Sequence, residues 1–186
     1  MEKQTWKAGT LLFPLPVVMV SLGQGEEKNI VTVAWTGITS SDPAMTYISL
    51  RPERHSYPIL ERTGEFVINL VTEKLTRATD LAGVKSGRKL DKFKSFGLTP
   101  APASKVSCPM IDESPVNIEC RVTQKIPLGS HTMFLAEILA VNVASSLLDK
   151  SGRLCLERAN LVTYLHGSYH AIGRQLGTFG FSVKKK

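Results

Sequence analysis

Cysteine is scarce in this 186-residue chain: Cys108, Cys120 and Cys155 are the whole supply, and no two of them stand in C-x-x-C spacing. An odd, scattered set builds neither a disulfide framework nor a structural zinc site and suits a reducing compartment, so a cytoplasmic location is expected. Cys120, inside the alternating run VNIECRVTQKI at 116–126, reads as a small hydrophobe. Long apolar runs are missing too. The longest, 11–22, is interrupted by Pro14 and Pro16, is too short to span a bilayer and has no small-residue cleavage site after it, so neither a membrane anchor nor a signal peptide is expected. Aromatic residues make up only 7% of the chain and no RNP-like stacking motif interrupts the scattered Lys and Arg, which argues against a nucleic-acid surface. The net charge of +7, part of it in Lys184-Lys185-Lys186, instead suits attraction of anionic small molecules or an acidic protein. G-x-G-x-x-G, the Walker loop and G-x-S-x-G are all absent, which leaves a Rossmann site, a phosphoryl-transfer site and a hydrolase elbow without support. His166 and His170 stand four apart, but Gly167 lies between them and no third ligand is near in sequence, so no metal site is expected.

What is present is enough apolar material, 42% of the chain, for one sizeable core, and residues 1–186 read as a single domain. Strand patterns, β-branched or alternating and bounded by Gly, Pro, Asp or Ser, run over 17–22, 30–35, 45–50, 65–70, 115–126 and 132–143. Helical periods fall at 56–62, 73–83 and 89–96, the second ending on Gly83, which suits a left-handed cap. Pro100, Pro102, Pro109 and Pro115 make 99–115 a surface loop, with a subunit interface as one place for it. The pattern predicts a mainly β fold, an antiparallel barrel with peripheral helices.

The most informative stretch is 29–60. Two strand-like runs flank the turn Ser40-Ser41-Asp42-Pro43, and the second delivers Ser49, Arg51, His55 and Ser56 to the start of a helix with Pro58 in its first turn. Free N–H groups and the positive end of a helix dipole, beside hydroxyls and a guanidinium, can hold a phosphate without any Gly-rich loop. The same residues also read as nothing more than an N-cap, Ser56, preceded by a solvated loop of Arg51, Arg54 and His55.

The chain resembles the flavin reductase-like, FMN-binding split-barrel family, and within it the flavoredoxins and related flavin or ferric reductases. The resemblance rests on LLFPLPVVMVS at 11–21, N-x-x-T-x-A-W at 29–35, S-D-P at 41–43, S-L-R at 49–51, F-V-I-N at 66–69, S-G-R-x-x-D-K-F at 86–93, S-H-T-x-F at 130–134 and Y-x-x-x-G-R-x-L-G at 169–177. It implies a Greek-key antiparallel split barrel, assembled as a homodimer, that binds FMN. Trp35 and Thr36 would lie along the flavin ring edge, though Trp35 also reads as a plain core aromatic. Ser49, Leu50 and Arg51 would meet the ribityl chain and phosphate, with His55 and Ser56 at the turn beyond, and Ser41 belongs to the matching S-D-P turn. His55 stands where relatives often carry an aromatic, which puts its direct role in question. Lys92 matches a lysine near the phosphate, or is an exposed helix lysine. His131 would sit close to the flavin to orient the donor or pass a proton, or is a strand-end histidine bonded to backbone. Tyr169, with Gly173 and Gly177, aligns with a closing turn and helix over the pocket or the dimer partner.

The resemblance implies electron transfer from NAD(P)H through bound FMN to a flavin, a ferric chelate or a redox-protein acceptor. The flavin does the chemistry and the protein positions it. Two other readings remain open on the same residues: a flavoredoxin-like carrier reduced by an electron-transfer protein, and a non-catalytic flavin-binding protein.

Overall fold

A strand with one face in water alternates apolar and polar residues, yet Val18–Leu22 is buried along its whole length. Val18, Val20 and Leu22 pack into one core, while the neighbours Val17 and Met19 pack into a second on the opposite face. The computed structural model describes residues 1–183, and Lys184-Lys185-Lys186 lies outside the described residues.

In chain order the strands are β1 (Leu15–Pro16), β2 (Val18–Leu22), β3 (Asn29–Val33), β4 (Thr36–Ser41), β5 (Ala44–Leu50), β6 (Glu65–Leu70), β7 (Pro100–Ala101), β8 (Met110–Ile111), β9 (Val116–Leu128), β10 (His131–Val143), β11 (Val162–Leu165) and β12 (Ser168–Ala171). The helices are α1 (Ser56–Thr63), α2 (Thr76–Val84) and α3 (Lys92–Phe96). Seven strands form one antiparallel sheet in the order β3-β2-β6-β9-β10-β5-β4. Its two ends curl toward each other, and just past β3 the Ser49 N–H donates to the Trp35 carbonyl at 2.9 Å. Curvature comes from β9 and β10, whose register shifts between Leu135 and Ala136 and again between Ile138 and Ala140. This is the mainly β, antiparallel split barrel that the sequence implied.

Inside the barrel lie Val18, Val20, Val31, Ile48, Phe66 and Phe134 with their neighbours. Helix α1 closes one end by inserting Ile59 and Leu60 into that core, and it stops at Gly64, which takes φ 65° and returns its N–H to the Leu60 carbonyl. Helices α2 and α3 cover the outer face of β2 and β3 through Ala82 and Phe93, joined there by Val162 of β11.

Four features depart from the sequence reading. The turn expected at 40–43 is the tip of a hairpin whose first strand, β4, had no pattern to reveal it: its sheet-edge position leaves TGITSS largely exposed, so no alternation is imposed. Gly83 lies inside α2 rather than in a left-handed cap, and a Cβ there would stand 3.3 Å from Thr32, so it is glycine for close packing against β3. The closing turn and helix expected at 169–177 is instead strand β12 followed by an irregular segment. His166, at φ 47° in the turn between β11 and β12, and His170 in β12 therefore share no helix face.

Candidate functional site

Where the curled sheet meets itself, a cavity of about 270 Å³ opens. Val31, Thr32 and Val33 supply one wall, the end of β5 with Ser49, Leu50 and Arg51 another, and Tyr164 and Tyr169 of the β11–β12 hairpin a third. Tyr169 donates its hydroxyl to Asp80 at 3.1 Å, fixing the hairpin to α2. Trp35 and His131 form the rim with ring centroids 4.3 Å apart at 36°. The His131 Nδ1 and the Ser130 hydroxyl share a hydrogen bond of 2.9 Å. Burial and the nearby Arg51 charge hold the His131 pKa below its ordinary value, so the ring is neutral at pH 7. The cavity thus combines an apolar slot, two tyrosines, a neutral imidazole and arginines at one side.

A second cavity, about 150 Å³, adjoins the first and shares Val31 and Arg54 with it. Its walls carry Asn29, His55, Ser56, Ser86, Gly87 and Lys92. Lys92 is only 4% exposed. Its Nζ donates to the carbonyls of Ile30 and Ala82, both at 2.6 Å, and the latter lies in the last turn of α2, where a cation meets the negative end of the dipole. Among the described residues no carboxylate pairs with Lys92, Arg54 or Arg88. Burial, then the charge of Arg54, pulls Lys92 down to about 8, and His55 is lowered by burial and by Arg88 and Lys92. Cations that depress one another around a polar hollow are relieved by an anion.

One consequence is measurable. An anion restores the proton on Lys92, so affinity is full below the free pKa of about 8 and is lost as pH rises through it. Sulfate, which does not titrate in this range, should bind with constant affinity up to about pH 8 and weaken by up to about tenfold per further pH unit. Calorimetric titration of the wild type and of Lys92→Met checks this, and a flat wild-type profile would remove Lys92 from the anion site.

The expected site residues divide between the two hollows. Trp35, Ser49, Leu50, Arg51, His131 and Tyr169 line the first, and His55, Ser56 and Lys92 the second, so Arg51 and Ser56 belong to different cavities bridged by Arg54. Trp35 is 39% exposed and is not a core aromatic. Lys92 is not an exposed helix lysine, and His131 bonds Ser130 rather than backbone. Ser56 is not the cap of α1: His55 holds that position, and the Ser56 hydroxyl accepts from Asn29 Nδ2 at 2.8 Å. Thr36 is buried with its hydroxyl donated to the Tyr47 carbonyl, and Ser41 stands exposed at the tip of β4, lining neither cavity.

Sequence reasoning missed Arg54, Asn29, Gly87 and Tyr164 as site residues. Arg54 stood in view in R-P-E-R, but its bond to the Gly83 carbonyl, 2.9 Å, spans 29 residues. Gly87 had a signal in S-G-R: a Cβ there would come within 2.3 Å of the Asn29 side chain, so the loop after α2 presses on β3 only as glycine.

The flavin reductase-like domain family matches residues 10–173. A solved structure, the flavoredoxin of Desulfovibrio vulgaris (Miyazaki F), is 32% identical, covers 98% of this chain and 100% of its own, and superposes with a TM-score of 0.90. An uncharacterized protein of Pyrococcus abyssi is 35% identical over 130 residues, 70% of this chain and 74% of that protein. An NADH-dependent FMN reductase of Streptomyces nodosus subsp. asukaensis is 26% identical over 139 residues, 73% of this chain and 72% of that protein.

Proposed function

This chain belongs to the flavin reductase-like domain family, and from that premise we propose that it binds FMN across the two joined cavities and transfers electrons from NAD(P)H to a flavin, ferric chelate or redox-protein acceptor. The observation that carries the reading is the junction itself: an apolar slot rimmed by Trp35 and His131 opens through Arg54 onto a hollow whose buried lysine has no carboxylate partner among the described residues. Those residues fit FMN. The slot suits the ring and the hollow suits its phosphate, with Arg54, Ser56 and Lys92 as the anchor and Ser49 and Arg51 beside the connecting chain. Bound FMN supplies hydride and single-electron chemistry that no side chain here offers. The protein's part is to hold the phosphate by charge and exclude water with Val31, Val33 and Leu50. At the rim it keeps a neutral imidazole able to take or give a proton at one ring nitrogen.

Arg54→Ala tests the reading directly. Losing one charge-assisted contact should cost about 1.5–3 kcal/mol, roughly tenfold to a hundredfold in FMN affinity by fluorescence quenching. Riboflavin, lacking the phosphate, should bind wild type and variant alike. If the wild-type protein shows no saturable FMN binding, or if both ligands weaken equally, the phosphate assignment fails.

The kinship with a flavoredoxin at 32% identity supports a second reading, an electron carrier reduced by a protein. Mixing FMN-loaded protein with NADH or NADPH without oxygen separates them: bleaching of the flavin absorbance favours the reductase, and its absence the carrier. We also propose a homodimer. Trp6, Leu12, Leu176 and Phe179 are 75%, 85%, 82% and 108% exposed in the single chain, large apolar side chains of the two terminal segments that a second copy would cover. FMN loss and dissociation should then be coupled, and a monomer with full FMN affinity in sedimentation would contradict the pairing. The three cysteines are free and buried, which supports the cytoplasmic location.

A further inference from the structure

The cations around the second cavity outnumber what one phosphate needs. The stretch 85–94 carries Lys85, Arg88, Lys89, Lys92 and Lys94 against a single acid, Asp91, and that acid is already paired with Lys28 at 3.3 Å. Arg54 and Arg51 add to the same side, and Glu53 is the acid that lines the hollow. A flavin monophosphate brings a charge of about −1.5 to −2 at neutral pH, by analogy with other phosphate monoesters. Arg54 and Lys92 match that charge between them, so Lys85, Arg88 and Lys89 stand exposed, in no ion pair among the described residues and with Glu53 as the one acid beside them in the hollow.

A charge run on a loose loop would be an ordinary solvated face, and this loop is not loose. Gly87 is pressed on the Asn29 side chain, Asn29 donates to Ser56 in α1, Asp91 holds Lys28, and Lys92 is bolted to two carbonyls at its C-terminal end. The Arg88 N–H donates to the Ser86 hydroxyl, and the Lys89 N–H returns to the Ser86 carbonyl, so the turn is closed on itself. Lys85, Ser86 and Gly87 line the hollow that opens from the flavin slot through Arg54, and Arg88 is close enough to His55 for its charge to be felt there. The backbone that carries Lys85 and Arg88 is therefore held in place beside the phosphate hollow, which lowers the ordering cost of binding.

Resting on the FMN reading, we infer that Lys85 and Arg88 form a second phosphate subsite at the outer rim of the second cavity, taking a further phosphate of a nucleotide whose first anionic group or flavin lies deeper. Two ligands carry that chemistry: FAD, through its adenylate phosphate, and a nicotinamide dinucleotide donor, through its pyrophosphate.

The experiment compares wild type with Lys85→Ala/Arg88→Ala. Both positions are exposed, and matching melting curves would show that the variant folds. If FAD is the source, the ratio of FAD to FMN affinity falls at least tenfold in the variant. If the donor is the source, binding of NADP⁺ to FMN-loaded protein, read by calorimetry without turnover, weakens at least tenfold while the FAD to FMN ratio holds. FMN affinity itself should fall less than the affinity for the ligand that uses the subsite, because Lys85 and Arg88 stand at the edge of the hollow whose anchor is Arg54, Ser56 and Lys92, so the ratio carries the reading. Changes under tenfold in both arms overturn the subsite. Should the wild type fail to bind FMN, ADP titrated into the flavin-free protein still decides: tenfold weaker ADP binding in the variant keeps the subsite and sinks the FMN reading, and no ADP binding sinks both.

Discussion

Glu119→Gln should lower the unfolding free energy by about 3–5 kcal/mol, the scale expected when a buried charge with full hydrogen-bonding is broken on one side. Glu119 has no exposed surface, and its carboxylate accepts from the Ser104 N–H and hydroxyl, the Lys105 and Val106 N–H groups and Asn142 Nδ2. The carboxamide replaces one acceptor with a donor facing donors, and the Val106 N–H, in a buried residue, loses its acceptor where water reaches poorly. Burial alone would raise the Glu119 pKa, but these donors outweigh it and hold the group down to about 2. A depressed carboxylate contributes stability that is present above its unfolded value near 4.5 and is lost as pH falls through 2. Urea unfolding at pH 7 and at pH 3 therefore gives two readings. The gap between wild type and variant should be wide at pH 7 and narrower at pH 3, and equal stability at pH 7 would mean that water replaces the carboxylate at no cost. Because Glu119 ties the Pro-rich 99–115 segment to β9, the variant should also be cut faster by protease within that segment, while the first cavity, built on β3, β5 and β10, keeps its form until global unfolding.

His131→Ala should slow reduction or reoxidation of the bound flavin by about ten to a few hundredfold, on the order of what a positioned acid or base supplies. The imidazole is neutral because burial and Arg51 hold its pKa low, and it is aimed by Trp35 on one face and Ser130 at Nδ1. FMN affinity should change far less, since the proposed phosphate anchor lies on Arg54, Ser56 and Lys92. Stopped-flow traces of both half-reactions, on protein first shown to be fully loaded, provide the check. Unchanged rates in both halves would make His131 a packing partner of Trp35 and nothing more.

How much of this was legible beforehand depends on whether a residue's role is set by its neighbours in sequence. The runs at 17–22, 65–70 and 132–143 announced strands because burial imposes β-branched or alternating residues that local reading detects. The edge strand β4 and the hairpin β11–β12 carry little such signal, because partial exposure leaves their polar residues unconstrained. Chemistry-bearing residues behaved likewise. The sequence marked Arg51, His55, Ser56 and Lys92 as candidates for one anion, whereas the structure distributes them over two cavities and puts Arg54 between.

By itself, then, the sequence determined the class of fold, the family and a net positive charge, because apolar periodicity, ordered short motifs and composition are properties of the chain as written. Only the tertiary structure decided that Lys92 is buried on Ile30 and Ala82, that Trp35 meets His131, and that Arg54 reaches Gly83. Each of these joins residues at least ten positions apart, and most join residues far more distant. The physical reason is barrel closure: the curl of β9 and β10 brings the ends of the sheet together, and which side chains then face one hollow is set by that closure and by register, neither of which a local pattern contains.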